Sequence, residues 1–389
     1  MNILLASIAA SPAVIAVYAY VLYPAVLWAV GRFRTVGASA EIGEWPVVTI
    51  TVPVYNAELN IRATLERLLE LDYPREKLQI VVISDGSTDH TEEIVARFEP
   101  RGVELLRMPR RQGKTMAENA ALSIARGEII VNADATVLLA PSALKPLVRV
   151  FDDPTIGVAS GRDRSVGVEG DEATGAESRY VGYEMWIRDL ETRVGSIVGA
   201  SGCFYAIRRC IHSEPLPRDL SWDFASPLVA RMQGYRAVSV PAAVCVVPRT
   251  TQLQTELTRK VRTMARGLRT LFYLRTVMNP MRYGEFALML ISHKLLRWVP
   301  FLLLPFSVLA LGVAAIQNVL ATVLFALVVV TGVLGVAAIR VRASSLAKPI
   351  AFAGFLVVSC WAGFLAWREA IRGSPMAMWE PTPRPELQS

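Results

Sequence analysis

Apolar residues run almost unbroken from Ile3 to Gly31. About 20 helical residues cross the hydrocarbon core of a bilayer, so the run predicts a transmembrane helix over residues 1–31. A cleaved leader carries Lys or Arg ahead of its apolar stretch; here Arg32 and Arg34 follow it, which holds the next segment on the cytoplasmic side. From Pro46 the pattern changes to short β-branched runs, VVTITVPVY, QIVVIS, VELLRM and EIIVNAD, separated by amphipathic helical stretches. Strands alternating with helices at this spacing predict βαβ units, hence an α/β domain with a mostly parallel sheet over residues 41–252. Ligands of such sheets sit at the carboxyl ends of the strands.

Beyond residue 252 the period becomes helical. Leu257, Val261, Met264, Leu268 and Leu271 form one stripe, and Arg259, Arg262, Arg266 and Arg269 are displaced to another. This predicts amphipathic interfacial helices over residues 253–298, lying on a membrane face. Three apolar runs follow, Val299 to Ile316, Val319 to Ala338 and Pro349 to Trp367, giving two or three crossings within residues 299–367. Pro300, Pro305 and the basic HKLLRW lead-in predict that the first of these is partly interfacial or re-entrant. Residues 368–389 form a tail.

Composition narrows the class. Of 389 residues, 53% are hydrophobic and 19% charged, too apolar for an ordinary soluble enzyme and too charged for a pure membrane bundle. The net charge of +7 does not point to nucleic acid, because Arg259, Lys260, Arg262, Arg266, Arg269, Arg275 and Arg282 cluster beside the apolar end and fit a membrane surface. Cys203, Cys210, Cys245 and Cys360 are scattered without a C-x-x-C pair, and Cys360 lies inside an apolar run, so they suggest neither a zinc site nor a disulfide framework. His90, His212 and His293 lie too far apart in sequence to suggest a His-rich metal site or a Ser-His-Asp triad. Acid–base chemistry then falls to carboxylates. A transporter would need polar groups inside several spans, and these runs have almost none.

Two carboxylates sit where strands end. Asp85, in SDGSTDHTEE, stands at a strand-to-Gly turn, where it can accept a hydrogen bond from a nucleobase N–H. Asp89, with Glu92 three residues on, reads as a helix-capping box. Asp134 closes EIIVNAD and is the metal-ligand candidate, since Mg²⁺ or Mn²⁺ is held by one or two carboxylates together with substrate phosphates. The GKT triplet at Gly113 is not a mononucleotide loop, because Met108 stands where that loop requires Gly; Lys114 can still meet a diphosphate.

VPVYNAE, SDGSTD, GKTMAENAAL before GEIIVNADAT, SGCFYAIRR and SWDFASPLVARMQGYR occur in this order, and together they resemble glycosyltransferase family 2. These are inverting enzymes of GT-A fold that include cellulose, hyaluronan and poly-N-acetylglucosamine synthases. The resemblance implies a nucleotide diphosphate sugar donor, expected to be a UDP-sugar, and a lipid-linked or glycan acceptor. It implies that Pro53, Tyr55 and Asp85 hold the nucleoside, that Lys114 lies near the donor, and that Asp134 binds divalent Mg²⁺ or Mn²⁺ on the diphosphate. Asp223 would be the general base toward the acceptor hydroxyl, its plainer role being an N-cap of the helix through Met232. The family's metal motif begins with Asp, where this chain has Asn132, able to hydrogen-bond a ribose hydroxyl. The Gln-x-x-Arg-Trp signature of processive synthases is replaced by TELTRKVRTMARGLRTLF, from which Arg262 and Arg266 can face the donor phosphates. In the tail, MWEPTPR with Trp379 and Arg384 loosely resembles the gating loop of hyaluronan synthases. The expectation is a multi-pass plasma-membrane enzyme with a cytoplasmic catalytic domain that adds sugars singly. Its rivals are a processive polysaccharide synthase and a silent nucleotide-sugar-binding membrane scaffold.

Overall fold

The computed structural model describes residues 3–34, 43–166, 172–248, 253–340 and 348–373. The first apolar run forms α1 (Ile3–Val17), a π-helical turn over Tyr18–Leu22, and α2 (Tyr23–Gly31), stacked into one rod. Its prolines cost little because other groups take over the carbonyls they free. Ser11 Oγ donates to the Ile8 carbonyl four residues before Pro12 at 2.9 Å, and the Tyr183 hydroxyl donates to the Tyr20 carbonyl four residues before Pro24 at 2.9 Å.

The middle of the chain alternates as expected: β1 (Val48–Val54), α3 (Ile61–Leu69), β2 (Leu78–Ser84), α4 (Thr91–Ala96), β3 (Val103–Arg107), α5 (Lys114–Leu122) and β4 (Ile129–Ala133). There follow β5 (Leu138–Leu139), α6 (Leu144–Arg149), β6 (Ile156–Val166), α7 (Glu172–Val194), β7 (Phe204–Arg208), α8 (Trp222–Met232) and β8 (Arg236–Pro248). All eight strands join one sheet in the order β3-β2-β1-β4-β7-β6-β8-β5. The β3-β2-β1-β4 half is parallel, while β7 runs antiparallel to both β4 and β6. The chain winds outward from β1 and returns on its other side at β4, so the topological switch point lies between these two strands. Pairing of β1 with β4 stops at Thr51 and Asn132, two residues before Pro53, whose missing N–H therefore breaks no bond on that side. A crevice opens there.

Both faces of the sheet are covered. Val48, Ile50, Val52 and Val54 point into one core with α3 and α6, and the opposite face packs under α7 and α8. On that opposite face buried Thr49 and Thr51 are paired with Gln79 and Asn132 at 2.7 and 2.8 Å, so the polar rungs of the sheet are hydrogen-bonded to each other.

After the sheet come α9 (Leu253–Tyr273), α10 (Pro280–Tyr283), α11 (Glu285–Leu290), a π-helical turn (Ile291–Leu295), α12 (Leu296–Ala315), α13 (Val319–Arg340) and α14 (Lys348–Arg372). The C-terminal part of the α9 stripe is enclosed by protein at Leu268 and Leu271, while Leu257, Val261 and Met264 are part-exposed, and its basic side is tied to α14 through Lys260 Nζ on Ser359 Oγ at 3.2 Å and Arg269 Nη2 on the Glu369 carbonyl at 3.0 Å. Amphipathicity fixes which face is buried but not whether lipid or protein buries it. The run at Val299, expected to be re-entrant, is a continuous helix with Pro300 and Pro305 inside it. Ile3–Gly31, Glu285–Ala315 and Val319–Ala337 are long and apolar enough to cross a membrane.

Candidate active site

The site gathers at the carboxyl ends of β1, β2 and β4. Asp85 follows β2 and is 2% exposed; its two oxygens accept the backbone N–H groups of Gln112 and Gly113, each at 2.6 Å. Burial pushes its carboxyl above the ordinary carboxylate range, and the two amide donors oppose that rise. Gly86 turns the chain at φ +70°, and a Cβ there would lie 2.8 Å from the Arg111 amide, so this close approach requires Gly. The Arg111 guanidinium lies 3.7 Å above the Tyr55 ring. Tyr55 and Asp85 thus both meet the 110–113 loop, and Pro53 is buried in β1 beside Ile83 of β2. Asp85 orders that loop through one lone pair on each oxygen, and each oxygen can accept a further hydrogen bond.

The 110–113 loop feeds directly into α5. Lys114 opens the helix, and its ammonium donates to Asp134 Oδ1 at 2.6 Å and to the Gly202 carbonyl at 3.0 Å. Asp134 follows β4 and is anchored by its own N–H on the Cys203 carbonyl at 3.0 Å. Asp223 approaches the same turn from the other side: a Cβ added to Gly202 would sit 3.1 Å from Asp223 Oδ2, so glycine leaves room for the carboxylate. Ser221 occupies the N-cap of α8, and Asp223 lies in the first turn, with its Oδ1 receiving the Ser221 hydroxyl at 2.5 Å. Asn119 of α5 pins the segment before α8, accepting from Trp222 Nε1 at 3.0 Å and donating to the Leu216 carbonyl at 2.7 Å. Lys114, Asp134 and Asp223 therefore share the Gly202 turn.

Other expected residues sit further back. Asn132 is 3% exposed in β4, its Oδ1 accepts from Thr51, and among the described residues its Nδ2 meets no acceptor. Its oxygen is buried and already serves Thr51, and it brings no charge to a cation. Arg266 is committed to Thr115 Oγ1 and the Leu220 carbonyl, both at 2.5 Å, behind α5. Arg262 is half-buried one turn earlier on α9. Trp379 and Arg384 lie outside the described residues. Asp89 does accept the Thr91 N–H at 3.0 Å ahead of α4, but Glu92 does not close a capping box; it bonds Ser84 Oγ at 2.6 Å and Arg107 Nε at 2.9 Å.

Glu118 went unnoticed in the sequence. It is 3% exposed, one turn along α5 from Lys114, with the Tyr205 hydroxyl 3.4 Å away and the Lys114 ammonium at 3.9 Å. Burial pushes its carboxyl up to about 7, a rise opposed by Lys114 and assisted by the charge of Asp223. The available signal was its place on the α5 stripe shared by Ala117 and Ala121.

Among the described residues no group of three or more His, Cys, Asp or Glu side chains could hold a metal by itself. The donor set fits a Mg²⁺ or Mn²⁺ ion shared with a diphosphate, because Asp134 stands at the crevice and already carries a cationic group in the Lys114 ammonium.

This sheet, with its switch-point crevice and strand-end carboxylates, is a GT-A glycosyltransferase fold. A solved structure similar to it is the mannosyltransferase PcManGT from Pyrobaculum calidifontis, in complex with GDP-Man and Mn²⁺: TM-score 0.75 and 24% identity, covering 95% of this chain and 99% of that one. Residues 49–214 match the model of Glycosyl transferase family 2. It is 26% identical over 222 residues to an N-acetylglucosaminyltransferase of Rhizobium sp. (strain N33), covering 52% of this chain and 48% of that protein. It is 28% identical over 172 residues to a beta-monoglucosyldiacylglycerol synthase of Nostoc sp. (strain PCC 7120), covering 43% and 36%. The chain spans about half the length of the first of these relatives.

Proposed function

We propose that the chain is a membrane-attached inverting glycosyltransferase that moves a sugar from a nucleotide diphosphate sugar to a lipid-linked or glycan acceptor. The observation that carries the reading is the meeting of Lys114, Asp134 and Asp223 at the Gly202 turn beside the switch-point crevice. Inversion needs a base opposite the leaving group and positive charge on the departing diphosphate. Asp223 takes the acceptor proton: Ser221 orients one oxygen, and the other faces the turn. Pro53, Tyr55 and Asp85 line the nucleoside side, and the 110–113 loop held by Asp85 carries Lys114 toward the phosphates. Asp134 would hold Mg²⁺ or Mn²⁺, which supplies charge neutralisation on the diphosphate when bound.

The apolar helices support membrane attachment, and Arg32 and Arg34 support a cytoplasmic catalytic domain in the plasma membrane, where nucleotide sugars are made. Relatives named for glycolipid and N-acetylglucosamine transfer support acceptors of these two kinds. The α9 sequence, without the Trp signature, supports single addition over processive synthesis. The test is nucleotide diphosphate release by purified protein in detergent from a panel of nucleotide sugars with Mn²⁺ or Mg²⁺, with and without lipid extract. No release or transfer from any donor, in protein that still binds nucleotide sugar, would favour the silent scaffold.

A further inference from the structure

Lys114 and a divalent cation compete for Asp134. The ammonium lies 2.6 Å from Oδ1, and a metal ligated by the same oxygen would stand about 4 Å from it, where the two cations repel each other at a site only about a fifth exposed. Before a donor brings its phosphates, the displaced lysine must find another anion among the protein's own groups. It is fixed by its backbone to the first turn of α5, so its reach is limited to groups around that turn. Among the described residues the carboxylates within 4.0 Å of its ammonium are Asp134 at 2.6 Å and Glu118 at 3.9 Å.

Glu118 has the properties of an unfilled seat. Lys and Glu four apart on a helix lie on one face, so a rotamer change in Lys114 closes the gap without backbone movement. Glu118 is buried, and its contact with Tyr205 at 3.4 Å is long for an O–H donor to a carboxylate. A buried carboxylate with no short donor is costly, and a packing role for this side chain would be served better by an apolar residue among Ala117 and Ala121. The group sits where a displaced ammonium would need it.

We propose that Glu118 receives the Lys114 ammonium when a divalent cation takes Asp134, so that Lys114 is an exchangeable internal counter-ion and Glu118 a positioning residue for metal binding. This rests on the assignment of the metal to Asp134. Lys114 then has two stations. On Asp134 it holds the crevice together in the absence of metal, and on Glu118 it leaves the carboxylate to the metal and its charge is balanced by a new partner.

The test is Mn²⁺ binding without donor, read from the water-proton relaxation of bound Mn²⁺ on full-length protein in detergent, for Glu118→Gln, Lys114→Met and the double variant. Glu118→Gln should weaken Mn²⁺ about tenfold, because the displaced ammonium loses its seat, and Lys114→Met should tighten it about tenfold, because nothing need be displaced. With Met at 114, adding Glu118→Gln should cost no more than about threefold, the residue of a remote charge. Equal losses in both backgrounds would reduce Glu118 to a distant charge, and unchanged binding in a folded Glu118→Gln variant would make it a packing residue; either overturns the proposal while leaving the metal at Asp134. Failure of the unsubstituted protein to bind Mn²⁺ with or without nucleoside diphosphate would instead overturn the metal assignment, and this proposal with it.

Discussion

Replacing Glu118 with Gln should change how stability depends on pH. The carboxyl is 3% exposed and is pushed from the ordinary 4.5 up to about 7 by burial, with Lys114 and Arg266 opposing and Asp223 and Asp134 adding to the rise. The folded protein therefore keeps a proton that the unfolded chain releases near 4.5. This contribution is fully present below that pH and is lost as pH rises through about 7. At about 1.4 kcal/mol for each pH unit, the gap between the two values amounts to about 3 kcal/mol. His212 has the opposite sense. It is 4% exposed, stacked on Trp222 and bonded to Ser226, and burial lowers its imidazole from 6.5 to about 4. Its contribution is present above 6.5 and is lost as pH falls toward 4, again by about 3 kcal/mol. In the unsubstituted protein the two slopes oppose each other between pH 4.5 and 6.5. Gln at 118 cannot titrate, so the His212 slope should emerge: relative to the parent, the variant gains stability on going from pH 5 to 7.5. For a domain of this size that is a relative rise in melting temperature of about 6 °C or more. The assay is thermal unfolding in detergent followed by tryptophan fluorescence at several pH values. Melting temperatures of parent and variant that move in parallel across this range would refute the assignment of a buried, under-paired carboxyl.

Four further outcomes are expected. Asp223→Asn should lower transfer by at least about 100-fold with donor affinity retained, because Asn keeps the shape but takes no proton; turnover within a few-fold of the parent would mean that Asp223 is not the base. Asp134→Ala should abolish metal-dependent donor binding in calorimetric titrations while leaving the fold intact, and undiminished metal dependence would remove Asp134 as the ligand. Asn132→Asp keeps the acceptor for Thr51 and replaces the unpartnered Nδ2 with oxygen, so the Mn²⁺ concentration needed for turnover should stay level or fall; a clear rise would contradict the reasoning. Cys placed at Phe33, which is 91% exposed, in a Cys210→Ser background should react with an impermeant thiol reagent in inverted vesicles and not in intact cells, and labelling of intact cells would put the catalytic domain outside.

What was legible in the sequence was local. VVTITVPVY and EIIVNAD declare strands by their β-branched runs, and Asp85 and Asp134 stand one residue past strand ends, which the pattern alone places at the ligand edge. The antiparallel β7 between β4 and β6 was not legible, because pairing order depends on distant contacts that leave no period in the chain. Glu118 escaped for a related reason. On α5 it reads as an ordinary helix glutamate four residues from a lysine, and only the packing of Tyr205 and α8 turns that exposed-looking pair into a buried one. The stripe on α9 marks an apolar face, but its period does not say what covers it: Leu268 and Leu271 are enclosed by protein, while Leu257, Val261 and Met264 are part-exposed.

The same limit hides how the long apolar helices are joined to the site. Glu191 of α7 is fully buried and accepts from the Tyr23 hydroxyl at the start of α2, and His293 in the π-helical turn before α12 pairs with it at 2.6 Å. Glu184, one face further along α7, meets the other nitrogen of His293 and the Arg297 guanidinium. Ion pairs of this kind contribute little net stability against an apolar core, but losing any one partner leaves a buried charge uncompensated, at a cost of about 3–5 kcal/mol. They therefore act as a demand that α2, α7 and α12 stay in register. Between those two glutamates α7 also carries Arg188, which donates to the Ala200 carbonyl at 3.0 Å, two residues before the Gly202 turn where Lys114, Asp134 and Asp223 meet. Stripping residues 3–31 would take Tyr23 from Glu191 and Leu27 from the core beneath α7, so the first apolar rod is part of the scaffold that shapes the site.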